Sequence, residues 1–300
     1  MNKEENYTLI KNIIINHEIY QNIKDYSKER NKVATYYEIG KILNEAGGKY
    51  GDNIINEYSK RLVTEIGKKY NRRTLFRMKQ FYKTFSSGKV SPVVTQLSWT
   101  HYIILLSLNE YDKINYYMEQ VIIRKLSKRE LENIIKNKEY ERLPEDTKLK
   151  LTTNKETKIN DFVKNPIIIK NTKNTEIISE KILQKLILED INNFLEELGE
   201  GFCYIKNEYK IKLGDRYGYI DLLLYNIKFK CYVVVELKVT ELKAEHTGQI
   251  QKYMNYIDNN IKTIEENKTI GIIICKQDNK YVIKYCSDNR IISRTYELVN

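Results

Sequence analysis

The stretch 217–239, YGYIDLLLYNIKFKCYVVVELKV, decides the reading of this chain. Two nearly continuous apolar runs, YIDLLLY and CYVVVELKV, flank the turn-like NIKFK. This is the pattern of two strands buried on both faces and joined as an antiparallel hairpin. Each run carries a charged intrusion, Asp221 in the first and Glu236 with Lys238 in the second. Ionisable groups rarely interrupt apolar strands, because burial disfavours the charged form. Residues two apart on a strand share a face, so Glu236 and Lys238 stand side by side, and the hairpin lets Asp221 approach Glu236 across the ladder.

Two carboxylates converging in a low-dielectric site repel each other unless a cation sits between them. Hard oxygen ligands of this kind suit Mg²⁺ or Mn²⁺, which keep several waters and bind phosphate oxygens in the remaining positions. Lys238 beside them is placed to orient or help deprotonate a water and to offset charge growing on a scissile phosphate. That is the equipment for hydrolysing a phosphodiester. In a chain that is 30% charged, an E-x-K triplet alone is commonly a solvated pair. The apolar flanks and the Asp in the neighbouring strand set this one apart.

Outward from the hairpin, FCYIKNEYKIKL (202–213) alternates as a half-buried strand, and EIISEKILQKLILEDINNFLEEL (176–198) reads as a helix ended by Gly199 or Gly201. Downstream, 241–261 reads as a helix, TIGIIIC (269–275) as a buried strand and KYVIKYC (280–286) as a further short strand. The order α-β-β-β-α-β-β implies an α/β domain over 166–300, a mixed sheet flanked by helices. Residues 144–165 are polar and aperiodic and read as a linker with a short ordered piece near Phe162. Residues 1–143 read as helical and winged-helix-like. A glycine turn at Gly47, Gly48 and Gly51 and a loop at 86–99 separate its helices, and the S-x-x-E spacing of Ser127 and Glu130 starts another.

The 300 residues carry a formal charge of +11, of which +9 falls in 1–150. Residues 60–89 alone hold ten cations against one acid. On a helical wheel, NRRTLFRMKQFYKTF (71–85) puts Leu75, Met78, Phe81, Tyr82 and Phe85 in one sector and Arg72, Arg73, Arg77, Lys79 and Lys83 opposite. One face packs and the other is cationic, the layout of a helix-turn-helix whose second helix meets DNA. Solvated faces usually mix signs, and this one does not. Low Gly and Pro exclude fibrous and disordered classes, and no run approaches the roughly 18 apolar residues of a membrane span. Four cysteines without CxxC spacing read as reduced core thiols, and the expected location is the cytoplasm.

With these residues in hand, the hairpin resembles the D-(x)n-E-x-K core of the PDDEXK phosphodiesterases, with Asp221, Glu236 and Lys238 in the motif positions. Gln249 and Tyr253 resemble the Q-x-x-x-Y that some branches carry on the following helix. The similarity extends to the YhcG-type nucleases, through FLEELGEGFCYIKNEYKI in the second half and YYEIGKILNE, RRTLFRMKQFY and QLSWTHYIILL in the first. The resemblance implies a restriction-endonuclease-like fold and an Mg²⁺-dependent deoxyribonuclease. Asp221, Glu236 and the Leu237 carbonyl would hold the metal, Lys238 would serve the attacking water, and Gln249 and Tyr253 would touch substrate or position Lys238. It also implies a further acid from the preceding helix, for which Glu189, Glu196 and Glu197 compete; Glu197 stands where the family has its own. His246 reads as solvated. Two other readings stay open: a DNA-binding or assembly protein with little catalysis, and a homodimeric branched-DNA resolvase.

Overall fold

The computed structural model describes residues 2–21, 28–51, 53–86, 97–153, 158–172, 178–286 and 288–299. The chain forms two compact units, Met1–Tyr140 and Glu141–Asn300.

The first unit is helical: α1 (Lys3–Gln21), α2 (Lys28–Tyr50), α3 (Asn53–Glu65), α4 (Arg72–Phe85), α5 (Trp99–Leu105), α6 (Tyr111–Arg124) and α7 (Lys128–Lys136). Gly47 and Gly48 continue α2 instead of ending it; the turn falls at Gly51, whose φ of 77° an L side chain rarely adopts. Among the described residues this unit holds no strand, so only the helical part of the winged-helix expectation is present. Most of the loop expected at 86–99 lies outside the described residues.

Helix α4 begins where Asn71 accepts a hydrogen bond from the Thr74 N–H at 3.1 Å, a side-chain N-cap. It buries Leu75, Met78, Phe81 and Phe85. The Phe81 ring lies 5.4 Å from Trp99 and 4.7 Å from Tyr102, aromatic contacts that tie α4 to α5. Against α2 the approach is closer still, since a Cβ at Gly40 would lie 2.1 Å from the Met78 carbonyl oxygen. Helix α7 has the expected cap: Glu130 accepts from the Ser127 N–H at 2.6 Å, and Ser127 Oγ accepts from the Glu130 N–H at 3.4 Å.

The second unit is a six-stranded sheet in the order β1 (Ile167–Lys170), β6 (Ile291–Val299), β5 (Asn267–Gln277), β4 (Cys231–Glu241), β3 (Arg216–Asn226), β2 (Phe202–Leu213). Pairings from β1 through β4 are parallel, and those of β4 with β3 and β3 with β2 are antiparallel. On one face Leu222, Leu224, Val233, Val235 and Leu237 pack on α10 (Glu180–Glu189) and α11 (Ile191–Leu198) through Leu183, Leu186, Phe194 and Leu198. On the other, Ile220, Leu223 and Val234 pack on α12 (Ala244–Asn260) through Ile250, Met254 and Ile257.

Three expectations are corrected here. The 144–165 segment is more ordered than a linker with a single short piece near Phe162. It contains α8 (Glu145–Thr153) and, at the expected piece, α9 (Ile159–Phe162), and Ile159 and Val163 are buried in the core of the second unit. The KYVIKYC stretch is a helix, α13 (Lys280–Cys286), and the last strand, β6, follows it. The short edge strand β1, absent from the expected order, precedes α10.

Candidate active site

The strand β3 pairs with β4 only from Leu222↔Val235 to Asn226↔Cys231. Beyond that point the two diverge: Arg216–Ile220 of β3 pair with β2 alone, and Glu236–Glu241 of β4 pair with β5 alone. Asp221 and Glu236 are the first residues past the last paired rung, one on each prong of this fork. On β2, Glu208 stands opposite Asp221, between the pairs Asn207↔Leu222 and Tyr209↔Ile220, with a φ of 44°. The Leu237 N–H, left without a strand partner on this side, donates to Asp221 Oδ2 at 2.8 Å. The carboxylate thereby ties the two prongs together.

Glu236 is 1% exposed and Lys238 is 8% exposed. Lys238 Nζ lies 3.4 Å from Glu236 Oε2 and 3.6 Å from Glu180 Oε1. The other oxygen, Glu236 Oε1, is buried with no hydrogen-bond partner among the described residues. Burial first, and the Asp221 charge next, push the Glu236 carboxyl up to about 8 against the pull of Lys238. Asp221 is raised too, mainly by burial, with the Leu237 N–H opposing. For Lys238, burial works against the charge, but Glu236, Glu180 and Asp221 together outweigh it and hold the ammonium above its ordinary value. A buried, unpartnered carboxylate oxygen beside a second carboxylate fits a hard divalent cation, which would satisfy both. The donor set available is Asp221, Glu236 and the Leu237 carbonyl.

Helix α10 supplies what the sequence reading missed. Glu180, in its first turn, reaches Lys238, and Gln184, one turn on, donates from Nε2 to the Asp221 carbonyl at 3.0 Å. Their i, i+4 spacing places both on one helical stripe, the signal that could have singled them out. Glu197, by contrast, is turned away from the fork. Its carboxylate accepts from both terminal nitrogens of Arg142, from the Ile168 N–H at 2.9 Å, and lies 3.8 Å from Lys164 Nζ. Ile168 belongs to β1, and β6 and β5 stand between β1 and β4, about 14 Å of sheet. Glu197 is therefore part of a buried ion cluster, and its pKa is lowered: burial raises it, but Arg142, Lys164 and the Ile168 N–H prevail.

Gln249 and Tyr253 meet each other, Gln249 Nε2 donating to Tyr253 Oη at 3.3 Å, and neither bonds Asp221, Glu236 or Lys238 among the described residues. Tyr253 is 7% exposed and lies against Gly218 of β3; a Cβ there would stand 3.1 Å from its ring. His246 is buried, not solvated. Its Nδ1 accepts from the Lys243 N–H at 3.1 Å and closes the start of α12. Burial, with Lys238 adding to it, holds the imidazole below its ordinary pKa.

In the first unit Arg72, Arg73 and Lys83 are exposed, and Arg77 and Lys79 half-buried, along α4. Arg72, Arg73, Arg77 and Lys83 make no ion pair among the described residues, whereas Arg61 is tied to Glu4 and Glu65, and Lys69 to Glu18. The cationic stripe expected of 71–85 is thus formed, and four of its five cations lack an ion-pair partner among the described residues.

A forked sheet carrying an Asp and an E-x-K triplet defines a PDDEXK-type nuclease fold, and comparison with known proteins agrees. Residues 160–299 match the model of the YhcG PDDEXK nuclease domain, and residues 14–142 match that of the DUF1016 N-terminal domain. The chain belongs to the YhcG-type PDDEXK nuclease family. It is similar to the curated "Putative nuclease YhcG" of Escherichia coli (strain K12), with 25% identity over 286 residues covering 81% of this chain and 76% of that one. Among solved structures, a repair endonuclease from Pyrococcus abyssi aligns at 20% identity and a TM-score of 0.29 over 42% of this chain. An EndoMS–dsDNA complex aligns at 17% identity and 0.29 over 43%. These alignments span 49% and 48% of those chains, about half of each.

Proposed function

We propose that this nuclease is a divalent-metal-dependent deoxyribonuclease whose first unit docks on DNA through α4 and whose second unit hydrolyses the phosphodiester at the strand fork. One observation carries the reading: the unpartnered Oε1 of buried Glu236, next to Asp221 in a pair whose charges a cation would reconcile. Asp221, Glu236 and the Leu237 carbonyl would hold Mg²⁺ or Mn²⁺. When bound, the ion supplies Lewis-acid polarisation of the phosphate oxygens. The protein's own groups do the rest. Lys238, kept protonated by three carboxylates, would face the negative charge developing on the phosphate oxygens and orient the water. Glu180 fixes the ammonium from the far side, and Gln184 holds the Asp221 backbone in place. The cations of α4 have the sign to meet duplex phosphates and would supply affinity without sequence choice.

The test is cleavage of plasmid, linear and branched DNA with Mg²⁺, Mn²⁺ or EDTA. Expected is cutting that requires the metal and disappears in Glu236→Ala and Lys238→Ala. Metal-dependent cutting that survives either substitution would remove the site from this reading.

A further inference from the structure

Strands β2 and β3 continue beyond the fork as a two-stranded arm, Arg216–Ile220 pairing only with β2. One face of the arm is buried: Ile211 and Ile220 join the core under α12, and Gly218 lies against the Tyr253 ring. The other face is made by the cross-strand pairs Lys210↔Tyr219 and Lys212↔Tyr217. Directly opposed residues of an antiparallel ladder share a face, so two lysines and two tyrosines form one patch. Tyr217 is 57% exposed and Tyr219 53%. Lys210 Nζ sits 3.8 Å from the Tyr217 ring centroid, a cation–π contact that covers part of one ring face and leaves the remainder to solvent. Within the arm and its turn three cations, Lys210, Lys212 and Arg216, stand against one acid, Asp215. Tyr219 is two residues from Asp221, about 7 Å along the strand.

We propose that this patch binds an unpaired stretch of nucleic acid beside the scissile phosphate, bases stacking on Tyr217 and Tyr219 and phosphates meeting Lys210 and Lys212. Aromatic rings and lysines alternating along a groove bind single strands because every base has a π-face, and a duplex hides those faces within its own stack. Rings so exposed on a folded strand gain nothing from the core, whereas a nucleobase would cover them. The proposal rests on the nuclease reading above and names the strand state its site engages.

The test uses the full chain with Ca²⁺ in place of Mg²⁺ and a labelled oligothymidylate, followed by fluorescence anisotropy, with a 2-aminopurine-containing oligonucleotide reporting stacking. Tyr217→Ala with Tyr219→Ala is expected to weaken single-strand affinity by ~10-fold or more and to abolish the 2-aminopurine quench. The Tyr→Phe pair is expected to retain both within ~2-fold, with thermal melting showing both variants folded. Lys210→Ala and Lys212→Ala are each expected to lower the salt slope by ~0.7. Affinity and quench unchanged in the Tyr→Ala pair would overturn the proposal. So would loss of a dimer in light scattering at unchanged oligonucleotide affinity, which would make the patch a contact between copies. A wild-type chain that binds through the arm yet cuts no DNA with Mg²⁺ or Mn²⁺ overturns the nuclease reading and supports the arm.

Discussion

Glu197 and Glu236 sit in the same unit, both nearly sealed from water and both near a lysine, yet they end in opposite states. Glu197 receives Arg142 on both oxygens, a backbone N–H and a nearby ammonium, and its pKa falls. Glu236 receives one lysine at 3.4 Å, keeps an oxygen without a partner, faces a second carboxylate, and rises to about 8. Burial is common to the two and so does not separate structure from function. What separates them is whether the fold completes the hydrogen bonding of the buried charge. The Glu197 cluster is finished, and the unfinished one at Glu236 is where the proposed metal would bind.

The sharpest way to break this comparison is to remove each carboxylate and measure both cleavage and melting. Glu236→Ala should reduce cleavage by ~10³-fold or more, about 4 kcal/mol of transition-state stabilisation, while Glu197→Gln should leave the specific activity of the folded fraction near wild type. Glu197→Ala should instead cost about 3–5 kcal/mol of stability by stranding Arg142 and Lys164 in the interior, seen in urea titration. Its pH dependence follows from a folded pKa held below the ordinary 4.5. The stabilisation is fully present above pH 4.5 and fades as pH drops through the folded value, so wild type and variant should converge only in acid.

The cations of α4 that make no ion pair among the described residues extend the comparison to charges that need no completion. Alanine at Arg72, Arg73, Arg77 and Lys83 should lower the slope of log K against log salt by up to ~0.9 for each residue that meets a phosphate, with melting unchanged. The smallest effect is the most diagnostic. Because the folded Glu236 pKa lies above its unfolded value, the metal-free protein loses stability as pH climbs from 4.5 toward 8. Glu236→Gln should therefore melt higher than wild type at pH 8 without metal, with no gain near pH 4.5. Adding Mg²⁺ should reverse the order, since only the wild type has the full ligand set. Calorimetry in buffers of different ionisation enthalpy should record protons released on metal binding.

Much of the site was legible because its signals are local. A charge inside an apolar strand is conspicuous in the chain itself, so Asp221, Glu236 and Lys238 stand out, and the 71–85 wheel separates the buried and cationic faces of α4. The errors came where the deciding partner is far away in sequence. Nothing near Glu197 announces Arg142 or Lys164, and helical spacing alone cannot tell which acid of 176–198 points at a strand not yet placed. Glu180 went unnoticed because its reason, Lys238, lies on a strand 58 residues later. KYVIKYC is too short for period 2 and period 3.6 to differ, so its helical state rests on Val282 and Ile283 packing under α12. The 144–165 segment reads as a linker because only Leu149, Leu151, Ile159, Phe162 and Val163 punctuate its polar run, and Ile159 and Val163 are enough once a core exists to receive them.

The fork has a consequence for solubility. Strand edges attract other strands, and the outer edge of this sheet, β2, carries Lys206, Lys210 and Lys212 along its length, charges that resist such pairing. At the fork a second edge opens in the middle of the sheet, where β4 loses its β3 partner at Glu236. This inner edge is bordered by strands of the same sheet, β3 on one side and β5 on the other. The chain can leave backbone and carboxylate groups unpaired for chemistry without offering them as a template for aggregation.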